Sequence, residues 1–555
     1  MKFEYSEMES DKKLRVVFGL KRASVLPGEV LIYPSFDNWN DFGFKIKCTC
    51  SIFNTLTDST FTFGTYIGFL SLDSNQVNSK THKEMNEESR NLSKRFSKDP
   101  EAFNSYIDSM QFFTMLPSMA DYRMVVEALG SVQLKVVLQA INDMVLHKDS
   151  SDKWVDAATK SEVFQLGFMR HSEGFFAFNN ADSLLAGVQD EVFGGISQEL
   201  DLNFSLDGFK NQHTIPLKYD HQSIIPKRIN VLIGKNGLGK SQALKSFCRA
   251  ALQYKDPSIS LVDRYSKGRP MINRLLAIAT PGETQNTFPG ERVATQKLYY
   301  RRLSLTRNGR AKRSRSINEL IIQLVRSDEV IGSKSRWQLF IEALSNTIPI
   351  DKVVVQKTSG SYLQLIKLNK LGGEQESLEH WGSIDTGAEP KLKIGDDSHS
   401  LSSGQLTFLK FALLCCLYIE NGSFVLLDEP ETHMHPNMIA DFVGLLDQLL
   451  EDTGSQALIA THSAYFVREI SREQVHVLLK NESDEISIVS PRLRTFGADI
   501  ESISQFIFDE DVDNRLAEKL FSKVKNLSFE EVKSKLEGEL SMSAMLQLQD
   551  KMLSE

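Results

Sequence analysis

The order of apolar and polar positions divides the chain into three stretches. Over residues 1–195, short runs with strand character come first, at 14–18, 29–33, 44–48 and 61–72. Two longer stretches, 83–115 and 121–147, follow and are predicted to be helical. In the second, Val125, Val126, Leu129, Val132, Leu134, Val137 and Leu138 recur as one face of an amphipathic helix does. This part reads as an α+β domain with a structural or partner-binding role. From about residue 196 the pattern changes. Short strands at 202–206 and 215–219 lead to a buried-type strand at 228–233 that ends in glycine, and a helical stretch follows at 241–254. Apolar strand runs alternate with helices again at 275–279, 424–427 and 457–460, which predicts an α/β fold built on a mainly parallel sheet. Residues from about 295 to 395 break the alternation. They hold a polar, basic segment, a helical pair at 317–327 and 334–345, two strands near Val353 and Leu363, and a glycine-rich loop. We read them as an insertion carried by the sheet. Strands at 475–479 and 485–489 close the unit near residue 490, and 491–555 is a charged helical segment.

Composition narrows the class. The chain has 555 residues, and 64 Lys+Arg against 72 Asp+Glu give a net charge of -8. That mild acidity argues against bulk electrostatic binding to DNA or to a membrane, but leaves room for a local basic patch. Hydrophobic residues make up 41%, with 34 Phe, enough apolar surface to argue against disorder. A membrane helix needs about 20 apolar residues in a row, and the longest such run, 411–419, falls short. The first residues lack the apolar centre of a secretory signal. Five cysteines are too few for a disulfide framework, and Cys48 with Cys50 lacks the second pair of a zinc site. The expectation is a cytoplasmic protein without a membrane partner.

Chemistry concentrates in a few segments. Gly234, Lys235, Asn236, Gly237, Leu238, Gly239, Lys240 and Ser241 form a phosphate-binding loop, G-x-x-x-x-G-K-S, between an apolar strand and a helix. Glycines let the backbone curl around a pyrophosphate, and amides at the helix start point at its oxygens. Lys240 would reach the β- and γ-phosphates, and the Ser241 hydroxyl would ligate Mg²⁺. The apolar run at 424–427 delivers Asp428 and Glu429 at its end, where ligands bind in such sheets. Asp428 suits a hard cation, and Glu429 can accept a proton from water. Ser402, Gly404 and Gln405 precede an apolar helix and offer a second helix end suited to an anion.

Around the turn signal Asn308-Gly309 lie Arg301, Arg302, Arg307, Arg310, Lys312, Arg313 and Arg315, with no acidic residue among them. They predict a two-stranded basic ribbon with Tyr299 and Tyr300 at its base, gripping nucleic-acid phosphates or a protein partner. An acidic cluster, Asp509, Glu510, Asp511 and Asp513, is read as a solvated helix start.

Leu401, Ser402, Ser403, Gly404 and Gln405 resemble the LSGGQ signature of ABC-type ATPases, departing only at Ser403. Residues 428–436, including Glu431, His435 and Pro436, resemble the ATPases of the overcoming-lysogenisation-defect, RecF and chromosome-maintenance class more than transporter cassettes. The resemblance implies an ABC-type sheet with a helical signature lobe, ATP and Mg²⁺ as ligands, and a homodimer or higher even oligomer that sandwiches ATP. It further implies that Ser402, Gly404 and Gln405 of one copy close over the γ-phosphate held by the other. Glu429 would act as base and His462, after the run at 457–460, as the switch histidine. Gln285, with Gln296 as its rival, would be the glutamine that contacts metal and water. His433 and His435 are read as dimer-facing loop residues. The stretch after His462 is too short for the metal-binding nuclease domain that some relatives carry. The overall layout looks similar to the ATPases of Septu-type and retron-associated antiphage systems. That likeness implies a sensor or regulator of a separately encoded HNH-type nuclease, in a retron setting together with a reverse transcriptase and non-coding nucleic acid. Two other readings stand beside it: a DNA-repair or recombination ATPase acting directly on DNA or RNA, and an ATP-dependent scaffold with negligible hydrolysis.

Overall fold

Strands that are apolar along their whole length belong between two covered faces, and those runs form the centre of this molecule. A computed structural model describes the chain apart from residues 1–13, 36–43, 72–81, 106–109, 186–195, 280–286, 292–297, 306–314, 332–333, 370–373, 482–484, 509–522 and 525–526, single positions at 210, 226, 255, 328, 346, 396 and 433, and most of 537–555. Its largest sheet runs in the order Tyr299–Ser304, Arg274–Ala279, Phe424–Asp428, Gln456–Thr461, Ile229–Gly234, Val475–Lys480 and Ile486–Val489. All neighbours are parallel except the last pair.

Alternate residues of each central strand face different cores. Ile229, Val231 and Ile233 join one cluster with Val425, Leu427 and Ile459; Leu232 joins another with Leu426 and Leu458. The second cluster is covered by helix Lys240–Ala251 and by a three-stranded antiparallel sheet, Gln212–Lys218, Glu199–Ser205 and Ser260–Asp263. The first is covered by helix Ser403–Tyr418, which is apolar on all sides and so must be enclosed. Helices Ile317–Val325, Arg336–Ser345 and Asn437–Asp452 enclose it. The helical pair of the expected insertion is therefore the packing shell of the helix that carries the Ser402 turn. A four-stranded antiparallel sheet, ordered Tyr362–Gln364, Val353–Gln356, Lys391–Ile394 and Asp397–Ser400, leads the chain into that turn.

The N-terminal part has its own core, rich in Phe18, Phe69, Phe96, Phe103 and Phe113. Its sheet follows chain order: Arg15–Phe18, Glu29–Pro34, Lys47–Asn54, Ser59–Ser71 and Met110–Met115. Only the first pair is parallel.

Two expectations are corrected here. The helix predicted over 83–115 is helix His82–Lys98, a short 3-10 turn, and the edge strand Met110–Met115. Pro100 disfavours helix in the residue before it, and the short segment 110–115, apolar at four of its six positions, carries too little period to separate strand from helix. Residues 299–304 are not the base of a ribbon. They form the outermost parallel strand of the central sheet, with Tyr300 and Leu303 buried, so Arg301 and Arg302 belong to the sheet and the inserted segment begins after it. Arg307, Arg310, Lys312 and Arg313 lie outside the described residues, as do Gln285, Gln296, His433 and 509–513.

Candidate functional site

The register of the central strands places Gly234, Asp428 and Thr461 at adjacent C-terminal ends, with Asp428 opposite Ala460 and Thr461 opposite Ile233. A ligand-binding crevice forms at such an edge in open α/β sheets. Gly234 is required by a close approach, since a Cβ there would sit 2.6 Å from the Leu478 carbonyl oxygen. Gly239 has φ +92°, a left-handed conformation that side chains resist, and it releases the chain into helix Lys240–Ala251. Lys235, Asn236 and Gly237 are exposed on the loop, while Leu238 is buried and anchors it. Lys240 is buried, and its Nζ donates to the carbonyls of Gly234 (2.8 Å) and Lys235 (3.1 Å). Burial lowers the pKa of its ammonium, against the opposing pull of Glu429, Glu431 and Asp428.

Asp428 accepts two hydroxyl hydrogen bonds, from Ser241 to Oδ1 and from Thr287 to Oδ2, both at 3.0 Å. In a strand, consecutive side chains point to opposite faces. Glu429 escapes that alternation because its φ is +47°, and its N–H donates to the Ala460 carbonyl at 2.9 Å. This turn lets both carboxylates act on the same lysine. A non-glycine residue held there costs roughly 1–3 kcal/mol, a cost characteristic of functional sites. Two residues on, the buried Glu431 accepts from the Thr461 hydroxyl (2.6 Å) and the His462 amide (2.9 Å). The half-exposed His462 has Nδ1 3.2 Å from Glu431 and 3.6 Å from Glu429.

Ser402 is exposed and caps helix Ser403–Tyr418. Its hydroxyl accepts from the Gln405 amide at 3.2 Å, and Gln405 Oε1 accepts from the Ser402 amide at 2.9 Å. The Ser402 hydroxyl still carries a proton that it can donate. Gly404 is buried behind this turn. The described basic residues have partners within the chain. Arg301 pairs with Glu291 at 3.3 Å and lies near the Tyr299 and Tyr418 rings. The Arg302 guanidinium donates to the Phe288 carbonyl at 3.4 Å, and Arg315 donates to Gln323.

The oxygen donors fit a magnesium ion held together with a nucleotide. Mg²⁺ takes one or two protein oxygens and completes its shell with water and phosphate. Ser241 and Asp428 supply such a pair, and among the described residues no group of three or more His, Cys, Asp or Glu forms a self-sufficient metal cage. Glu431, named within 428–436, and Thr461, beside His462, were given no role from the sequence, and neither was Thr287. Their contacts join segments far apart in the chain.

Comparison with known proteins gives a match to one family model. Residues 390–468, which contain Ser402, Asp428, Glu429 and His462, match "AAA domain, putative AbiEii toxin, Type IV TA system". The chain is 23% identical over 539 residues to the protein ea59 of Escherichia phage lambda, covering 91% of this chain and 92% of that one. Solved structures that align with it include the SMC head domain from Thermotoga maritima, at 14% identity, 53% of this chain, 100% of that chain and TM-score 0.25. Another is an ATP-binding cassette of an ABC transporter in its ADP conformation, at 14%, 57%, 97% and 0.27. Among the described residues no helix is long and apolar enough to cross a membrane.

Proposed function

We propose that this chain is an ABC-type ATPase that binds MgATP at the loop 234–241 and closes into a dimer around it, the Ser402 turn of each copy meeting the nucleotide of the other. The observation that carries the reading is the convergence on one sheet edge of the phosphate loop, the Asp428–Ser241 pair, Glu429 and His462. The loop amides and Lys240 would neutralise phosphate charge, and Ser241 with Asp428 would hold the magnesium ion. Glu429, turned out of its strand, takes a proton from the attacking water as the bond between the γ-phosphorus and its bridging oxygen breaks and ADP departs. The Ser402 turn is exposed, as a surface that must meet a second copy has to be.

Glu429→Gln tests this reading. It removes the proton acceptor and leaves nucleotide contacts in place, so phosphate release should fall by about 10²–10⁴-fold, while ATP drives the variant into a longer-lived dimer by size-exclusion light scattering. Unchanged hydrolysis would rule out Glu429 as base, and a monomer under saturating MgATP would rule out the sandwich.

The finer reading makes the ATPase a sensor or regulator of a separate nuclease in antiphage defence, and it is supported by the layout of an N-terminal domain joined to an ATPase. The relative of similar length is phage-encoded, so the chain should be isolated from its own operon and its companions identified by mass spectrometry. A copurifying nuclease supports the regulator; a bare dimer whose hydrolysis rises with duplex DNA supports a repair ATPase instead.

A further inference from the structure

Glu431 is buried yet ionisable, and only one of its oxygens is served. Oε1 receives the Thr461 hydroxyl, the His462 amide and the approach of His462 Nδ1, whereas Oε2 is buried with no hydrogen-bond partner among the described residues. A loop bracket alone would need a neutral acceptor, and burying a charge for that purpose is costly. The ring contact gives the charge a use. The same Nδ1 faces two carboxylates, Glu431 at 3.2 Å and Glu429 at 3.6 Å, and the longer of these is beyond a good hydrogen bond. We infer that Glu431 is a positioning residue: it accepts the His462 Nδ1–H as a hydrogen-bond acceptor, which keeps Glu429 free to accept a proton from water and leaves Nε2 as the ring nitrogen offered to the substrate.

This rests on the ATPase reading above. A carboxylate that receives one ring N–H of a histidine fixes its tautomer and orientation, and removing such a partner typically lowers activity by about 10–100-fold at related sites. Without Glu431 the ring N–H falls to Glu429, which is then occupied as an acceptor. Lys240 is a further charge whose field reaches both carboxylates, and it stays in place in every variant below.

The test is steady-state ATP hydrolysis by the full chain for Glu431→Gln, Glu431→Ala, His462→Ala and the double variants. The amide is isosteric and keeps an oxygen for Thr461, so Glu431→Gln should fold as the parent does, with a matching melting temperature. We expect its kcat to fall at least about tenfold while KM for ATP stays within about threefold, Glu431→Ala to lose more, and neither change to cost further activity once His462 is alanine. Wild-type kcat in Glu431→Gln, or a loss repeated in full on the His462→Ala background, would overturn the inference while the ATPase reading stands. No phosphate release from the wild-type chain would remove the ATPase reading and this one together.

Discussion

At the scale of single residues, burial acts most plainly on Asp143, whose carboxyl lies wholly inside the N-terminal core. It accepts from the Tyr122 hydroxyl at 2.8 Å and from the amides of Val145 and Leu146 at 3.0 and 3.1 Å. Burial outweighs those bonds and pushes its carboxyl up to about 7. Between the ordinary carboxylate range and about 7, the folded chain therefore keeps a proton that the unfolded chain has released. Its contribution to stability falls as pH rises through that window and is level above it. Buried His476 and half-buried His221, both lowered to about 4, act with the opposite sign below their ordinary range. The difference between wild type and Asp143→Asn isolates the carboxyl. Asparagine should gain on wild type as pH climbs from 5 to 7.5 in thermal melts, and parallel curves would show that Asp143 is ionised in the fold.

Among elements, those whose evidence is contiguous were legible from sequence. Strands Ile229–Gly234, Phe424–Asp428 and Gln456–Thr461 are apolar runs that stop at a glycine or a polar group, and the phosphate loop is eight consecutive residues. The edge strand Met110–Met115 was not, because six residues with four apolar positions are too short to show a period. Tyr299–Ser304 was misread because its arginines outweighed the buried Tyr300 and Leu303 in the pattern. Within the site, Glu431 belongs to the legible segment 428–436, but its contact with Thr461 and that of Thr287 with Asp428 form only when distant segments meet, which no local spacing encodes. The same holds for Arg336. From its own helix it donates through Nη1 to the carbonyls of Cys416 (2.8 Å) and Ile419 (2.6 Å), capping the far end of the helix that begins at the Ser402 turn. It is almost fully buried and also pairs with Glu329 and Glu420. Arg336→Met keeps the apolar stem but strips the last carbonyls of their donor and Glu420 of one cation. Urea unfolding should record a loss of roughly 3–5 kcal/mol. Arg336→Lys should fall between, since one ammonium cannot reproduce the planar fork. A methionine variant as stable as wild type would mean that the helix end is held by packing alone.

Across the whole molecule, the N-terminal core and the two cores of the sheet are separate apolar clusters, so polar groups carry much of the connection between them. Glu420, just past the end of helix Ser403–Tyr418, is almost completely buried. Arg123 of the N-terminal helix Met119–Ala140 meets its Oε1 at 2.8 Å, and Arg336 of the helical shell approaches its Oε2 at 3.6 Å. Arg274 of the central sheet adds its field and pairs with Glu173 of the N-terminal part at 2.7 Å. Burial alone would raise the Glu420 carboxyl; the three guanidinium groups outweigh it and hold it at about 2. One carboxylate thus neutralises cations from three parts of the fold, and removing it leaves their charges buried against one another. Glu420→Ala should therefore cost more than the roughly 3–5 kcal/mol of a single broken buried pair, and its damage should fall on the junction first. In calorimetry the wild-type chain is expected to melt in one transition, with the variant splitting into two as the N-terminal part separates from the central sheet. Exchanging Arg123 for Met should reproduce the split in milder form, since Arg274 and Arg336 remain beside Glu420. Two resolved transitions in the wild type, or one unshifted transition in Glu420→Ala, would show that this cluster does not bind the domains into a single cooperative unit.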